Sequence, residues 1–466
     1  MIINKYSGNI IISSAPGVIS ILLSFFSIPV YLKYLGFEEY GNFLILHILL
    51  SIVMVTNLNF GKIASIRIQK VSPNEKNSIV STTLFFSIIS SAIITLFLLG
   101  VYLIISKNNS SFTIYNYKIF FLTLFISNLY VTLENICKGI KHFFISSFSN
   151  LIFYSLSLSI PAAFLIMNSS KYSNVSSLFE ISVYCKIISV FIIFLILIFK
   201  NYINQKIFSK TIIGDFISYA KWQTLSSAYI QIFDFFDKYL IKIFLGASSL
   251  SLYSIPQQIA GKLSVISEGM ISVFLPRISS KQKFKVKYNI FNSNLYGFFY
   301  FVGLILIIIN PYLDELLIWW LKDSSNLKLI YLLKIFLLIS FYICITSLIS
   351  TFIDTEYQSK KNFEIESLIL IFFILGLFIS VYFKNLNYFA FTILVRAIFA
   401  FILKAYYIKK YILNFNIFLI KNIIFVMILI SSIRDEFYFF YFLTFLLILI
   451  CLIFWPKKLI KKEFFK

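Results

Sequence analysis

Long apolar runs, each about the length of a bilayer crossing, alternate with short polar links along almost the whole chain. A crossing helix needs ~20 mostly apolar residues. On that measure fourteen spans are expected, at 9–32, 42–60, 79–105, 115–136, 144–167, 176–199, 215–244, 250–275, 290–311, 328–352, 364–383, 388–408, 413–432 and 437–455. The last two are short and separated only by Ile433-Arg434-Asp435-Glu436, so twelve spans plus a re-entrant pair is the alternative.

The links carry a repeat. Leu35-Gly36-Phe37-Glu38-Glu39-Tyr40-Gly41-Asn42-Phe43 joins spans one and two, and Leu245-Gly246-Ala247-Ser248-Ser249-Leu250-Ser251-Leu252-Tyr253 joins spans seven and eight. The offset is 210 residues, or six spans, which keeps both copies in the same orientation. The expected fold is therefore an all-α polytopic membrane protein of about 14 transmembrane helices. Two six-helix lobes in parallel pseudo-repeat would surround a central cavity. The lobes are expected at 1–211 (helices 1–6) and 212–411 (helices 7–12), with 412–466 supplying helices 13–14 and a basic tail.

Composition agrees. The 466 residues are 59% hydrophobic and only 13% charged, with mean hydropathy +0.90. The net charge of +22 would suggest nucleic acid in a soluble protein. Most of the basic residues lie instead in short links between apolar segments, which is the positive-inside pattern. With both termini cytoplasmic, 27 of the 41 Lys and Arg fall on the inner side. No cleavable signal is expected, because the first apolar run is too long for one. Cys137, Cys185, Cys344 and Cys451 show no metal-ligand spacing and read as small hydrophobes in helices. No metal or cofactor motif is present in the sequence.

Charges inside spans are the candidate chemistry, since each costs roughly 2.5–3.5 kcal/mol near the centre of a bilayer helix. On span seven, Asp234, Lys238 and Lys242 share a polar stripe with Ser227 and Gln231; Asp234 and Lys238, spaced i, i+4, can pair. Asp237 points about a quarter turn away. Span eight carries Lys262 near its middle, with Glu268 beyond it and Pro256 breaking the backbone ladder. Lys186 in span six, Lys334 in span ten and Arg396 in span twelve have no carboxylate nearby in sequence. Cations therefore outnumber carboxylates at membrane depth, which favours an anionic substrate such as a pyrophosphate head group. Lys186, Lys262, Lys334 and Arg396 are expected to bind substrate, and Asp234, Asp237, Lys238 and Lys242 to form a gating cluster. His47 and Glu268 are candidates for ion coupling; for His47 a packing role stands beside it.

Two motifs then carry a family likeness. One is Ile28-Pro29 with Leu35-Gly36-Phe37-Glu38-Glu39-Tyr40-Gly41, followed by Leu58-Asn59-Phe60-Gly61-Lys62 and Arg67. The other is Asp237-Lys238-Tyr239-Leu240 with Leu245-Gly246 and Tyr253; Leu275-Pro276-Arg277-Ile278-Ser279 also fits. The chain resembles the O-antigen (Wzx-type) flippases of the multidrug/oligosaccharidyl-lipid/polysaccharide flippase superfamily. The resemblance implies two rocking lobes and a polyprenyl-pyrophosphate-linked oligosaccharide as cargo. It implies the bacterial inner membrane as location, and polymerase and chain-length proteins as partners. Proton or sodium coupling is left open. Two rival readings remain. A cation-coupled multidrug antiporter of the same superfamily would need cavity carboxylates in excess. A membrane glycosyltransferase or polymerase would need an acidic catalytic loop, and the largest outer link offers only Asp314, Glu315 and Asp323.

Overall fold

The computed structural model describes residues 2–54, 60–68, 73–108, 117–167, 174–202, 233–278, 284–321, 327–355 and 359–409, with isolated positions 71, 225, 229 and 412. Among these residues there are helices and no strands. That is the outcome lipid demands, since a helix satisfies every backbone polar group within itself. In chain order the helices are α1 (Ile2–Met54), α2 (Phe60–Ile68), α3 (Pro73–Asn108), α4 (Tyr117–Gly139) and α5 (Phe143–Asn150). A π-turn (Leu151–Leu156), α6 (Ser157–Met167), α7 (Val175–Phe199), α8 (233–245) and α9 (Ala247–Gly261) follow. Then come α10 (Ser264–Ile278), α11 (Phe284–Ile309), a 3-10 turn (Asn310–Tyr312), α12 (Leu313–Leu321), α13 (Leu327–Thr355), α14 (Ser359–Phe383) and α15 (Leu386–Tyr407).

Nine helical runs among the described residues are long and apolar enough to cross a membrane. Spans thirteen and fourteen, and span seven before 233 apart from Leu225 and Tyr229, lie outside the described residues. Exposed apolar stripes mark lipid-facing sides. On α14, Ile371, Phe378 and Tyr382 are 62%, 70% and 82% exposed, at the i, i+7, i+11 spacing of one helix face.

Two expected spans have a different form. Spans one and two are not separated by a loop: they are the two arms of α1, turned at one residue, Gly36, with φ 72° and ψ 178°. In a straight helix residues 31 and 43 would be about 18 Å apart. The Tyr31 and Phe43 rings lie 5.2 Å apart instead, so the chain folds back on itself. Gly246, with φ 87°, makes the same turn between α8 and α9. Both copies of the repeat thus use a glycine in the left-handed region, where a Cβ is strained.

Span eight is broken, and not at Pro256, which stays inside α9. The break is the turn at Lys262 and Leu263, closed by Lys262 N–H to the Ile259 carbonyl (3.1 Å) and Leu263 N–H to the Ala260 carbonyl (3.1 Å). Bonds back to the third residue tighten the end of α9 instead of continuing it.

By its contacts the chain divides into two compact units: Ile12–Ser251 with Tyr357–Ser367, and Met1–Ile11 with Leu252–Glu356 and Leu368–Lys466. They are called here the first and second units. Each has a central helix. In the first unit α4 is the deepest long helix, 67% buried over its apolar window, and it packs on α2, α3 and α7. In the second, α13 is 78% buried and packs on α10, α11 and α15. The core of the first unit includes Tyr130 stacked on Phe153 at 3.8 Å, beside Ile136, Cys137, Ile193 and Leu197. In the second, Phe291 stacks on Phe352 at 4.4 Å. Cys137, Cys185 and Cys344 are free and buried, as small hydrophobes should be; Cys451 lies outside the described residues.

Candidate functional site

In the second unit three cations occupy three different elements. Lys262 sits in the turn between α9 and α10, half-buried, with Glu268 the charge acting on it from the first turns of α10. Irregular backbone at membrane depth is tolerated where it lines a cavity or is buried in protein.

Lys334 on α13 is held by Asp314 at the start of α12: its Nζ lies 2.9 Å from Oδ1 and 3.2 Å from Oδ2. Twenty residues separate them, too far for sequence spacing to suggest the pair. Lys334 is thereby largely neutralised.

Arg396 on α15 faces a groove of about 200 Å³ between α14 and α15, walled by Phe372, Phe373, Gly376, Thr392 and Phe399. Its guanidinium lies 5.5 Å from the centre of the Phe373 ring. In its wall Thr392 donates to the Gly376 carbonyl (3.2 Å) and shares a hydrogen bond with Ser380 (3.0 Å).

The charge pattern grouped Lys404 with an inner link. The structure buries it at 2% exposure, donating to Ser350 Oγ of α13 at 2.8 Å. A lysine one turn from a helix end looks like an anchor in sequence; only the neighbouring helix shows that it turns inward.

In the first unit, α8 carries the expected gating cluster. Asp237 is fully buried, while Asp234, Lys238 and Lys242 are half-buried. Lys238 Nζ donates to the Asp234 backbone carbonyl at 2.7 Å, the bond that the i, i+4 spacing makes available besides the carboxylate. Just beyond, the two repeat corners meet. Ser251 Oγ donates to the Phe37 carbonyl. A Cβ on Gly41 would collide with the Ala247 carbonyl oxygen and fall 2.9 Å from Ser251 Oγ.

Lys186 and His47 also belong to this unit. Lys186 is 6% exposed, and its Nζ lies over the Phe153 ring at 5.3 Å, within the core. A desolvated cation gains about 2 kcal/mol from a ring, against several kcal/mol lost on leaving water. Desolvation wins, so Lys186 is an undercompensated group. The His47 ring contacts Phe43 (4.7 Å) and, on α7, Phe179 (5.6 Å). Sequence reading missed the π-turn carrying Phe153, because nothing in Leu151–Leu156 departs from an ordinary apolar run.

At the end of α4 and outside the spans, His142 Nε2 lies 3.2 Å from the Tyr202 hydroxyl and 3.5 Å from Lys200 Nζ. Burial, then the Lys200 charge, holds its imidazole below the ordinary histidine range. No group of three or more His, Cys, Asp or Glu able to hold a metal occurs among the described residues.

Residues 7–282 match the polysaccharide biosynthesis protein family. The chain belongs to that family. A relative from Shigella flexneri, a putative O-antigen transporter, is 23% identical over 322 residues, 66% of this chain and 74% of the relative. Two solved structures share the fold. A mutant of the Vibrio cholerae MATE transporter VcmN superposes with TM-score 0.67 at 10% identity, over 89% of this chain and 99% of that one. The lipid II flippase MurJ, in an inward closed conformation, gives TM-score 0.61 at 17% identity, over 95% and 97%. This member of the polysaccharide biosynthesis family therefore has the all-helical fold shared by MATE transporters and MurJ, as the parallel repeat anticipated. The family match takes in both glycine corners and the break at Lys262, but ends before Lys334 and Arg396.

Proposed function

We propose that this protein is a flippase that carries an undecaprenyl-pyrophosphate-linked oligosaccharide from the cytoplasmic to the outer leaflet by alternating access. The cargo would be a repeat unit of O-antigen or a similar surface polysaccharide. The observation that carries this reading is the family match over residues 7–282. The O-antigen transporter relative supports the same cargo class.

The charges fit such a cargo. Lys262 at the helix break and Arg396 in its groove supply cations for pyrophosphate or acidic sugars. Lys334 contributes less, because Asp314 offsets it. Lys186, expected beside them, lies in the core of the first unit. The lobes 1–211 and 212–411 would rock, the buried Asp237 and its neighbours Asp234, Lys238 and Lys242 gating the outer end. Glu268, facing Lys262, is the carboxylate suited to ion coupling there. The basic links support an inner-membrane location with both termini cytoplasmic. The chain would move its cargo without breaking a bond in it, handing it to polymerase and chain-length proteins outside.

The likeness to a MATE transporter favours a second reading, a cation-coupled multidrug antiporter. The cationic surplus at membrane depth opposes it, since such a surplus repels cationic drugs.

The test is complementation of a flippase-deleted strain. Wild type should restore surface glycan, and Lys262→Ala with Arg396→Ala together should cut it at least tenfold at equal membrane abundance. Full glycan from the double variant would sink the role of these cations. Unpolymerised glycan accumulating on the surface in the deletion strain would point to a polymerase instead.

A further inference from the structure

Three elements of the first unit bring donor groups together where α4 and α7 end and α3 begins. His142, in the link between α4 and α5, places its Nε2 3.2 Å from the Tyr202 hydroxyl and 3.5 Å from Lys200 Nζ, both just past the end of α7. Asn77, in the first turns of α3, donates from Nδ2 to the Asn201 carbonyl at 3.1 Å. The turns that present these groups are held by their own backbone bonds. The His142 N–H donates to the Cys137 carbonyl (2.9 Å) and the Tyr202 N–H to the Leu197 carbonyl (3.1 Å). Lys200 is exposed, and His142 and Tyr202 are half-buried, so the cluster is open at the surface.

Donors outnumber acceptors at this point. If Nε2 accepts, its one lone pair cannot serve both the Tyr202 O–H and the Lys200 ammonium; if Nε2 donates to Tyr202, it has nothing for Lys200. Lys200 meets no carboxylate among the described residues. Two carboxylates stand on the same turns. Glu134 is taken by Lys138 (2.8 Å) and by Asn150 Nδ2 (3.0 Å), and Glu75 is followed by Lys76 in the first turn of α3. Lys141, next to His142, adds another exposed cation. An anion seated here would take hydrogen bonds from Lys200, Tyr202 and a protonated His142, and would offset the repulsion between the two bases.

The neighbouring residues decide which anion fits. Phe199, immediately before Lys200, is 79% exposed; Phe144, two residues after His142, is 69% exposed and stacks on the exposed Phe148 at 6.2 Å. Both runs, Val175–Phe199 and Phe143–Met167, are long and apolar enough to cross a membrane, so these rings lie at the rim of the hydrocarbon. A soluble anion gains nothing from exposed rings, whereas a lipid buries them with its chains. On the orientation that the basic links support, this rim faces the cytoplasmic leaflet, where anionic lipids concentrate and basic sites between helices hold their head groups.

We propose that Lys200, His142 and Tyr202 form a binding site for the phosphate head group of an anionic membrane lipid, whose chains cover the exposed rings beside it. The site stands apart from Lys262 and Arg396, the cations assigned to cargo, and does not depend on the flippase reading. Its occupant bridges the α4–α5 link to the end of α7.

The chain has two histidines, so His142 can report on its own site. Full-length protein labelled with 15N-histidine is compared in nanodiscs of phosphatidylcholine and of phosphatidylcholine with phosphatidylglycerol in equal parts, His142→Gln assigning the signal. Phosphatidylglycerol should raise the His142 titration midpoint by at least one pH unit, a tenfold gain in proton affinity. The rise should largely disappear in Lys200→Met and persist in Lys200→Arg. No rise in wild type overturns the site. A rise of the same size in wild type and Lys200→Met reflects the diffuse charge of the bilayer surface and also overturns it. An equal rise in phosphatidylcholine discs given inorganic phosphate would make the ligand a soluble anion and overturn the lipid assignment. None of these arms uses cargo, so their outcome is independent of whether the chain is a flippase.

Discussion

Gly41 lies against Ser251, its own counterpart 210 residues later in the repeat. The contact is backbone to backbone at Ala247 and is closed by the Ser251 hydroxyl on the Phe37 carbonyl. Equivalent residues of a repeat touch where a pseudo-two-fold relates the copies. Such a contact also has to break if the two corners are to separate during transport.

Gly41→Ala should therefore act on this contact first. The neighbour is backbone, which cannot step aside, so overpacking should cost about 1–3 kcal/mol. Ser251→Ala loses one hydrogen bond, about 1 kcal/mol. A cysteine at Ala247 should become more reactive to a membrane-impermeant thiol reagent in both backgrounds. Unchanged reactivity would mean the corners stay together.

Gly36 and Gly246 should behave alike although 210 residues apart. Substitution by Ala or by Asn should cost about 1–3 kcal/mol at either site, and at Gly36, where ψ is 178°, Asn gains nothing over Ala. Thermal melts of the four single variants check this; a Gly36→Val variant as stable as wild type would refute the turn.

Lys334 and Asp314 should be coupled. Each single change to Ala leaves a half-buried charge, and the double variant should recover about 0.5–2 kcal/mol relative to the sum of the singles. If the singles simply add, Lys334 is free to serve substrate directly.

His142 gives a pH dependence with a definite sign. Its folded-state affinity for protons is lowered by burial and by Lys200, so folding favours the neutral ring. That stability is present above about pH 6.5, the ordinary histidine value, and is lost as pH falls from there through the lowered folded value. Wild type should lose more thermal stability between pH 7.5 and 5 than His142→Gln does, by melting in detergent. Parallel curves would remove the role.

The sequence exposed what depends on local pattern. Apolar runs gave the helices, and Leu-Gly with its small partner residue gave both corners. It hid what depends on a neighbouring helix. Asp314 finds Lys334 across a turn, Ser350 receives Lys404 from another span, and Phe153 shelters Lys186 from a π-turn without its own signature. Pro256 drew attention as the breaker of span eight, yet α9 runs through it and ends at Gly261, immediately before Lys262. Proline removes a single donor; ending the helix takes the redirected bonds of the Lys262–Leu263 turn.

The most direct measurement is leaflet transfer in proteoliposomes of purified protein loaded with a fluorescent polyprenyl-pyrophosphate oligosaccharide. A membrane-impermeant quencher reads which leaflet holds the label. Transfer should require the protein, slow at least tenfold in Lys262→Ala, and fail for a polyprenyl oligosaccharide lacking the pyrophosphate. Absence of protein-dependent transfer, with export of a cationic dye by the same vesicles, would contradict the account.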